Sequence, residues 1–110
     1  MRKLIVVIAI FFSQLSMASS IGNTKITAVL MGEQYGNVVF VVLSTKPATV
    51  PDCKTNGTFS YAFDPSTSVG KATLSLVLAA YTTKKEVTLT GSNSCTLYPD
   101  VENLMQIWAK

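Results

Sequence analysis

The sequence predicts a mainly β domain of five strands, with one helix between the third and fourth and one disulfide. Three observations carry that expectation. Short alternating or β-branched runs separated by turn residues recur along the chain. One apolar stretch, Val69 to Tyr81, is long enough for a helix. Two cysteines, Cys53 and Cys95, lie beyond a segment that has the layout of an export signal.

That segment opens the chain. Arg2 and Lys3 give a positive start, Leu4 to Phe12 is unbroken apolar sequence, and Ser13 to Ala18 turns polar and small. This is the three-part pattern of a secretory signal peptide, and the apolar run is about half of the roughly 20 residues that span a bilayer. Ser16 and Ala18 satisfy the small-residue rule at positions −3 and −1, which places the cut before Ser19, with Ser19 or Ser20 as alternative last residues lost. The expected organisation is therefore a signal peptide over 1–18 and a single domain over 19–110. No membrane span is expected after removal, and the expected location is the periplasm or the extracellular space.

Lys25 to Met31 reads as a strand covered on both faces, or one that bends between them. Gly32 to Asn37 is a turn. Asn37 to Ser44, NVVFVVLS, is the clearest strand, because six consecutive β-branched, aromatic or aliphatic residues suit a pleated, buried surface. It should form a hairpin with the first strand. Thr45 to Thr58 contains Pro47, Pro51 and Asn56-Gly57 and reads as a loop. Thr58 to Phe63 alternates, placing Phe59, Tyr61 and Phe63 on one face as an aromatic stripe of the third strand.

Asp64-Pro65-Ser66-Thr67 is a helix-start signal in which Asp or Ser caps the free amides and proline is tolerated in the first turn. From Val69 to Tyr81 the helix is apolar over most of its circumference, which suits a helix plugging a core, although Gly70 weakens it. Glu86 to Thr90 alternates, with Val87 and Leu89 inward, and Gly91 to Ser94 turns toward Cys95. Val101 to Lys110 fits a fifth strand over Leu104 to Ala109 or a short helix followed by a strand; the strand is favoured because Met105, Ile107 and Ala109 alternate with Gln106 and Trp108. The order β-β-β-α-β-β is that of an OB-like β-barrel, a small Greek-key barrel with the helix over one end. An open α+β sheet with the helix on one face is the alternative.

Removing Arg2 and Lys3 from the nine basic residues leaves seven lysines against six acidic residues, a net of +1, with neither Arg nor His. No bidentate guanidinium contact to phosphate or base is then available, and a near-neutral surface releases few counterions, so no nucleic-acid partner is expected. Without His there is no Ser-His-Asp or Cys-His machinery and no zinc set of the usual kind. Paired cysteines leave no thiol nucleophile. Only a carboxylate pair drawn from Glu33, Asp52, Asp64, Glu86, Asp100 and Glu102 remains as an enzymatic option, and these are spaced like ordinary solvated charge. The expectation is a non-enzymatic protein with no catalytic residues, no metal and no cofactor. Asn56-Gly57-Thr58 matches a glycosylation acceptor but reads first as an Asn-Gly turn, and Lys84-Lys85 reads as a solvated turn, with an anion contact as the alternative.

The stretch from Phe63 to Cys95 runs from an aromatic-Asp segment into GKATLSLVLAA, a basic turn, a V-T-hydrophobic strand and GSNSC. It resembles small exported bacterial proteins of uncharacterised function. More distantly, the helix-then-strand order and the single disulfide look like the B subunits of AB5 toxins of the subtilase-cytotoxin and pertussis kind. That resemblance implies an OB fold, a ring of subunits and glycan binding. It assigns no contact residue.

Two functions follow from the residues themselves. One is a glycan-binding or cell-surface-binding module, with Tyr35, Tyr61, Tyr98 and Trp108 as the candidate stacking rings, since sugars bind on aromatic faces with a few polar neighbours. The other is a small interaction protein that offers an apolar patch or strand edge to another protein, or to copies of itself as a homo-oligomer.

Overall fold

The computed structural model describes residues 19–109. The signal segment expected over 1–18 lies outside the described residues.

The architecture is mainly β. Strands β1 (Ser20–Met31), β2 (Val39–Leu43) and β3 (Tyr61–Phe63) precede the helix α1 (Ser68–Thr83), and β4 (Glu86–Gly91) and β5 (Leu104–Ala109) follow it. They form one antiparallel sheet in the order β3-β2-β1-β4-β5. The order of elements is the one expected. The two sheet edges touch at a single parallel bridge, Ala62 to Asn103, where the Ala62 amide donates to the Glu102 carbonyl at 3.0 Å. No ladder extends from it, so the sheet is not closed into a barrel.

β1 is the organising strand and runs five residues further toward the N-terminus than its sequence pattern suggests. Its first half pairs with β4, from Ser20 opposite Thr90 to Lys25 opposite Glu86, and its second half pairs with β2, from Ile26 opposite Leu43 to Met31 opposite Val39. Register shifts interrupt both ladders, and Asn23 sits at a φ of 53°, a left-handed conformation that Asn tolerates better than most residues. The strand therefore bends, as its two non-polar faces allow.

The main core lies between the sheet and α1. Ile26, Val39, Val41, Leu43, Tyr61, Phe63, Val87 and Leu89 from the strands meet Val77 and Ala80 from the helix. A second core on the opposite face of β2 and β3 gathers Val38, Phe40, Ala62 and Val101, with Leu30, Tyr35, Phe59 and Tyr98 packed against it. Its rings are well placed: Phe40 stacks on Phe59 at 4.4 Å and meets Tyr98 and Tyr35 edge-on at 4.9 and 5.0 Å.

Four expectations are corrected. The aromatic stripe is split, because Phe59 joins the second core while Tyr61 and Phe63 join the first. The Asn56 carboxamide accepts from the amides of Thr58 and Phe59, both at 2.8 Å, and this local turn holds the segment out of the ladder until Tyr61. Met105 points outward, because one extra residue in β5 between the Gly91–Leu104 and Thr90–Gln106 pairs leaves it as a bulge and turns Leu104 inward. The helix cap is Thr67, whose hydroxyl accepts from the Gly70 amide at 2.9 Å; Asp64 instead accepts from Ser66. Lastly, α1 lies on the sheet and does not plug it: Gly70, Val77 and Ala80 are buried, whereas Val69, Leu76, Leu78 and Tyr81 are exposed. Gly70 is where the helix meets the chain that precedes it, since a Cβ there would overlap the Asp64 carbonyl oxygen.

Cys53 and Cys95 form the expected disulfide, which joins the loop before β3 to the loop after β4. Backbone bonds reinforce it, with the Thr55 and Asn56 amides donating to the Asp100 carbonyl at 3.2 and 3.1 Å. Such a bond is compatible with an oxidising, exported location. Among the described residues no helix is long and apolar enough to cross a membrane.

Candidate functional site

The four rings expected to form a site are dispersed by the fold. Tyr61 is fully buried, and its hydroxyl lies 2.6 Å from the Ser19 Oγ, so neither ring face is open to a ligand. Burial pushes its phenol up to about 12. Tyr35 and Tyr98 are brought together at 5.8 Å, edge to face, as partly buried members of the second core. Trp108 alone is largely open, at 56% exposure, standing on the outer face of β5 across from Thr88.

A concave site forms elsewhere, where the bend of β1 meets the end of α1. A groove of about 530 Å³ is lined by Lys25, Ile26 and Thr27 from the strand and Tyr81, Thr82 and Lys84 from the helix terminus. Ile26 belongs to the core and forms an apolar floor. Tyr81 is 43% exposed on its border. By sequence Tyr81 reads only as an apolar helix residue; the signal for it is a polar-tipped ring in the last turn of a helix that is followed by Lys84 and Lys85.

The chemistry of the lining is complementary to hydroxyl groups. The Thr82 hydroxyl donates to the Leu78 carbonyl at 2.7 Å and the Thr27 hydroxyl to the Val42 carbonyl at 3.2 Å. Both therefore present oxygen lone pairs as acceptors, while the lysine ammoniums of Lys25 and Lys84 are donors. A polyol needs both kinds of partner, and an aromatic face beside them supplies the apolar contact. Glu86 stands directly across the ladder from Lys25.

Lys84 carries a second feature. It is the C-cap of α1 at φ 57° and ψ 33°, the left-handed conformation where glycine is favoured, and its amide donates to the Ala80 carbonyl. A lysine there costs about 1 kcal/mol relative to glycine. Backbone strain of this kind is concentrated at functional places.

Three of the carboxylates lie in different surroundings. Glu102 is buried beneath Gly91 and Ser19. Asp64, whose carboxyl is held below its usual range by hydrogen bonds from Ser66, caps a turn at the start of α1. Asp100 accepts from the Asn56 side chain at 3.4 Å beside the disulfide, and Lys54, lowered by burial and by the charge of Lys46, donates to the Asn56 carbonyl. Among the described residues no three metal-ligating side chains converge.

The chain matches no protein-family model, no curated protein and no solved structure.

Proposed function

We propose that this chain is an exported, non-enzymatic binding module whose groove between β1 and the end of α1 takes a glycan of a cell surface. The observation that carries the reading is the half-exposed Tyr81 ring on the border of a groove whose other walls are two lysines and two acceptor-oriented threonines. The lysine pair favours saccharides with an acidic group over neutral ones. Export rests on the signal-like segment and is consistent with the disulfide. A kinship with the OB fold, short of a closed barrel, is supported by the strand order β3-β2-β1-β4-β5 and by the Ala62–Asn103 bridge.

A glycan array probed with the oxidised mature protein and with Tyr81→Ala tests this. Binding by the wild type that weakens ~5-fold in the variant is expected, since one stacked ring contributes on the order of 1 kcal/mol. No glycan bound, or binding indifferent to Tyr81, contradicts it.

A second reading, a homo-oligomeric interaction protein in the manner of a toxin B-subunit ring, is favoured by a different observation. Val69, Leu76 and Leu78 are large apolar residues left open on a helix of a small domain. Light scattering on the oxidised mature protein checks it: a mass several times that of one chain supports the reading, and a monomer at high concentration contradicts it.

A further inference from the structure

We infer that export processing does more than release this chain: hydrolysis of the Ala18–Ser19 peptide bond creates the cation that neutralises a buried Glu102, so that the new α-ammonium of Ser19 locks the mature fold. The inference rests on the reading of 1–18 as a signal peptide and selects one cut among those the sequence allows.

Glu102 is fully buried, and Ser19 is 1% exposed beside it. The Ser19 backbone nitrogen lies 3.3 Å from Glu102 Oε2, the Ser19 hydroxyl donates to Oε1 and lies 2.6 Å from the Tyr61 hydroxyl, and the Asn93 amide donates to Oε2 at 2.9 Å. The Ser19 carbonyl is fixed as well, accepting from the Gly91 amide at 2.9 Å. Gly91 is the residue that makes room, because a Cβ there would overlap the Glu102 carboxylate. Every polar atom of Ser19 is thus used, and a mature chain starting at Ser20 or Ile21 would strip Glu102 of two donors.

A carboxylate removed from water needs a counter-charge or it destabilises the fold strongly. Lys54, whose charge reaches Glu102, directs its ammonium to the Asn56 carbonyl instead. The nitrogen of Ser19 already stands at ion-pair distance from Oε2. In the hydrolysis, water adds across the Ala18 C–Ser19 N bond under a signal-cleaving endopeptidase. The Ala18 carbonyl carbon leaves as a carboxylate on the signal peptide, and the Ser19 nitrogen takes up a proton and becomes the ammonium. Because a peptidase needs an accessible, extended bond, cleavage precedes docking of Ser19 under Gly91.

The test begins with the full-length chain exported from a bacterial host and the N-terminus of the recovered protein read by intact mass. A start at Ser19 is expected. Two oxidised proteins are then compared, one starting at Ser19 and one retaining Ala18, which keeps the Ser19 N–H and hydroxyl but moves the charge one residue away. The Ala18 form should melt lower by ~10 °C, from the cost of breaking a buried pair in a domain of this size. The same comparison in Glu102→Gln should show the gap collapse. If that variant does not fold, acylation of the α-amine by an N-hydroxysuccinimide ester near pH 7 replaces it: the Ser19 amine is protected in the native protein and the Ala18 amine is not. A product that keeps Met1 overturns the signal-peptide reading and this inference with it. A start at Ser20 or Ile21 overturns this inference alone. Equal melting of the two forms, or a native Ser19 amine that acylates as fast as a free one, refutes the ion pair.

Discussion

Replacing Tyr61 with Phe removes a single oxygen from the centre of the fold and should make stability depend differently on pH. The ring stays, so no cavity opens; what is lost is the contact between the phenol and the Ser19 Oγ at 2.6 Å. Ser19 keeps its bond to Glu102, so the cost below pH 9 should be about 1 kcal/mol, the usual net value of one buried hydrogen bond. The alkaline limb is the stronger test. Burial raises the Tyr61 phenol from 10.0 to about 12, so ionisation favours the unfolded chain. That contribution is fully present below the unfolded value near 10 and is lost as pH rises through the folded value. By linkage, the wild type should lose about 1.4 kcal/mol at pH 11 that Tyr61→Phe does not lose. The variant, less stable at pH 8, should draw level with the wild type as pH rises between the unfolded and folded values of the phenol. Urea melts followed by the fluorescence of the single tryptophan, Trp108, measure both curves. Parallel curves from pH 8 to 11 would refute the argument that Tyr61 is buried and neutral in the native state.

Removing the Cys53–Cys95 bond by Ser replacement at both positions should cost about 4 kcal/mol, as expected for a cross-link spanning 42 residues, read from urea midpoints in non-reducing buffer. Gly70→Ala should destabilise by about 1 kcal/mol or more although alanine is the better helix former, because its Cβ meets the Asp64 carbonyl; a stabilised variant in a thermal melt would show that contact to be harmless. Val77→Ala should cost about 2 kcal/mol and Leu78→Ala under about 1 kcal/mol in the same melts, since only the first is buried; the reverse order would mean that α1 presents a different face. Lys84→Gly should raise stability by about 1 kcal/mol and weaken ligand binding at the groove, with calorimetry and array signal moving in opposite directions.

The elements that repeat a strict local pattern were legible in the sequence. Val39–Leu43 and Glu86–Gly91 announce themselves by β-branched runs or alternation, Leu104–Ala109 by alternation from Gln106 onward, and the disulfide by there being only two cysteines. What the chain hid were effects that depend on long-range placement. The split of Phe59 from Tyr61 follows from an Asx turn at Asn56, and the outward Met105 from a bulge, neither of which has a period to read. The extension of β1 back to Ser20 is dictated by β4 and by the Ser19–Glu102 contact, 83 residues apart in sequence. For the candidate site, aromaticity alone picked out Tyr35, Tyr61, Tyr98 and Trp108, but exposure is set by tertiary packing. Two of these rings pack with the second core, one is sealed under Ser19, and Tyr81 was left to border the groove.

Chemical-shift mapping with the glycan that gives the strongest array signal would locate the proposed ligand site. For binding at the bend of β1, shifts should cluster at the amides of Lys25, Thr27, Tyr81, Thr82 and Lys84 and saturate together. Shifts centred instead on Trp108 and its β4 neighbours Thr88 and Thr90, or confined to no one region, would contradict it.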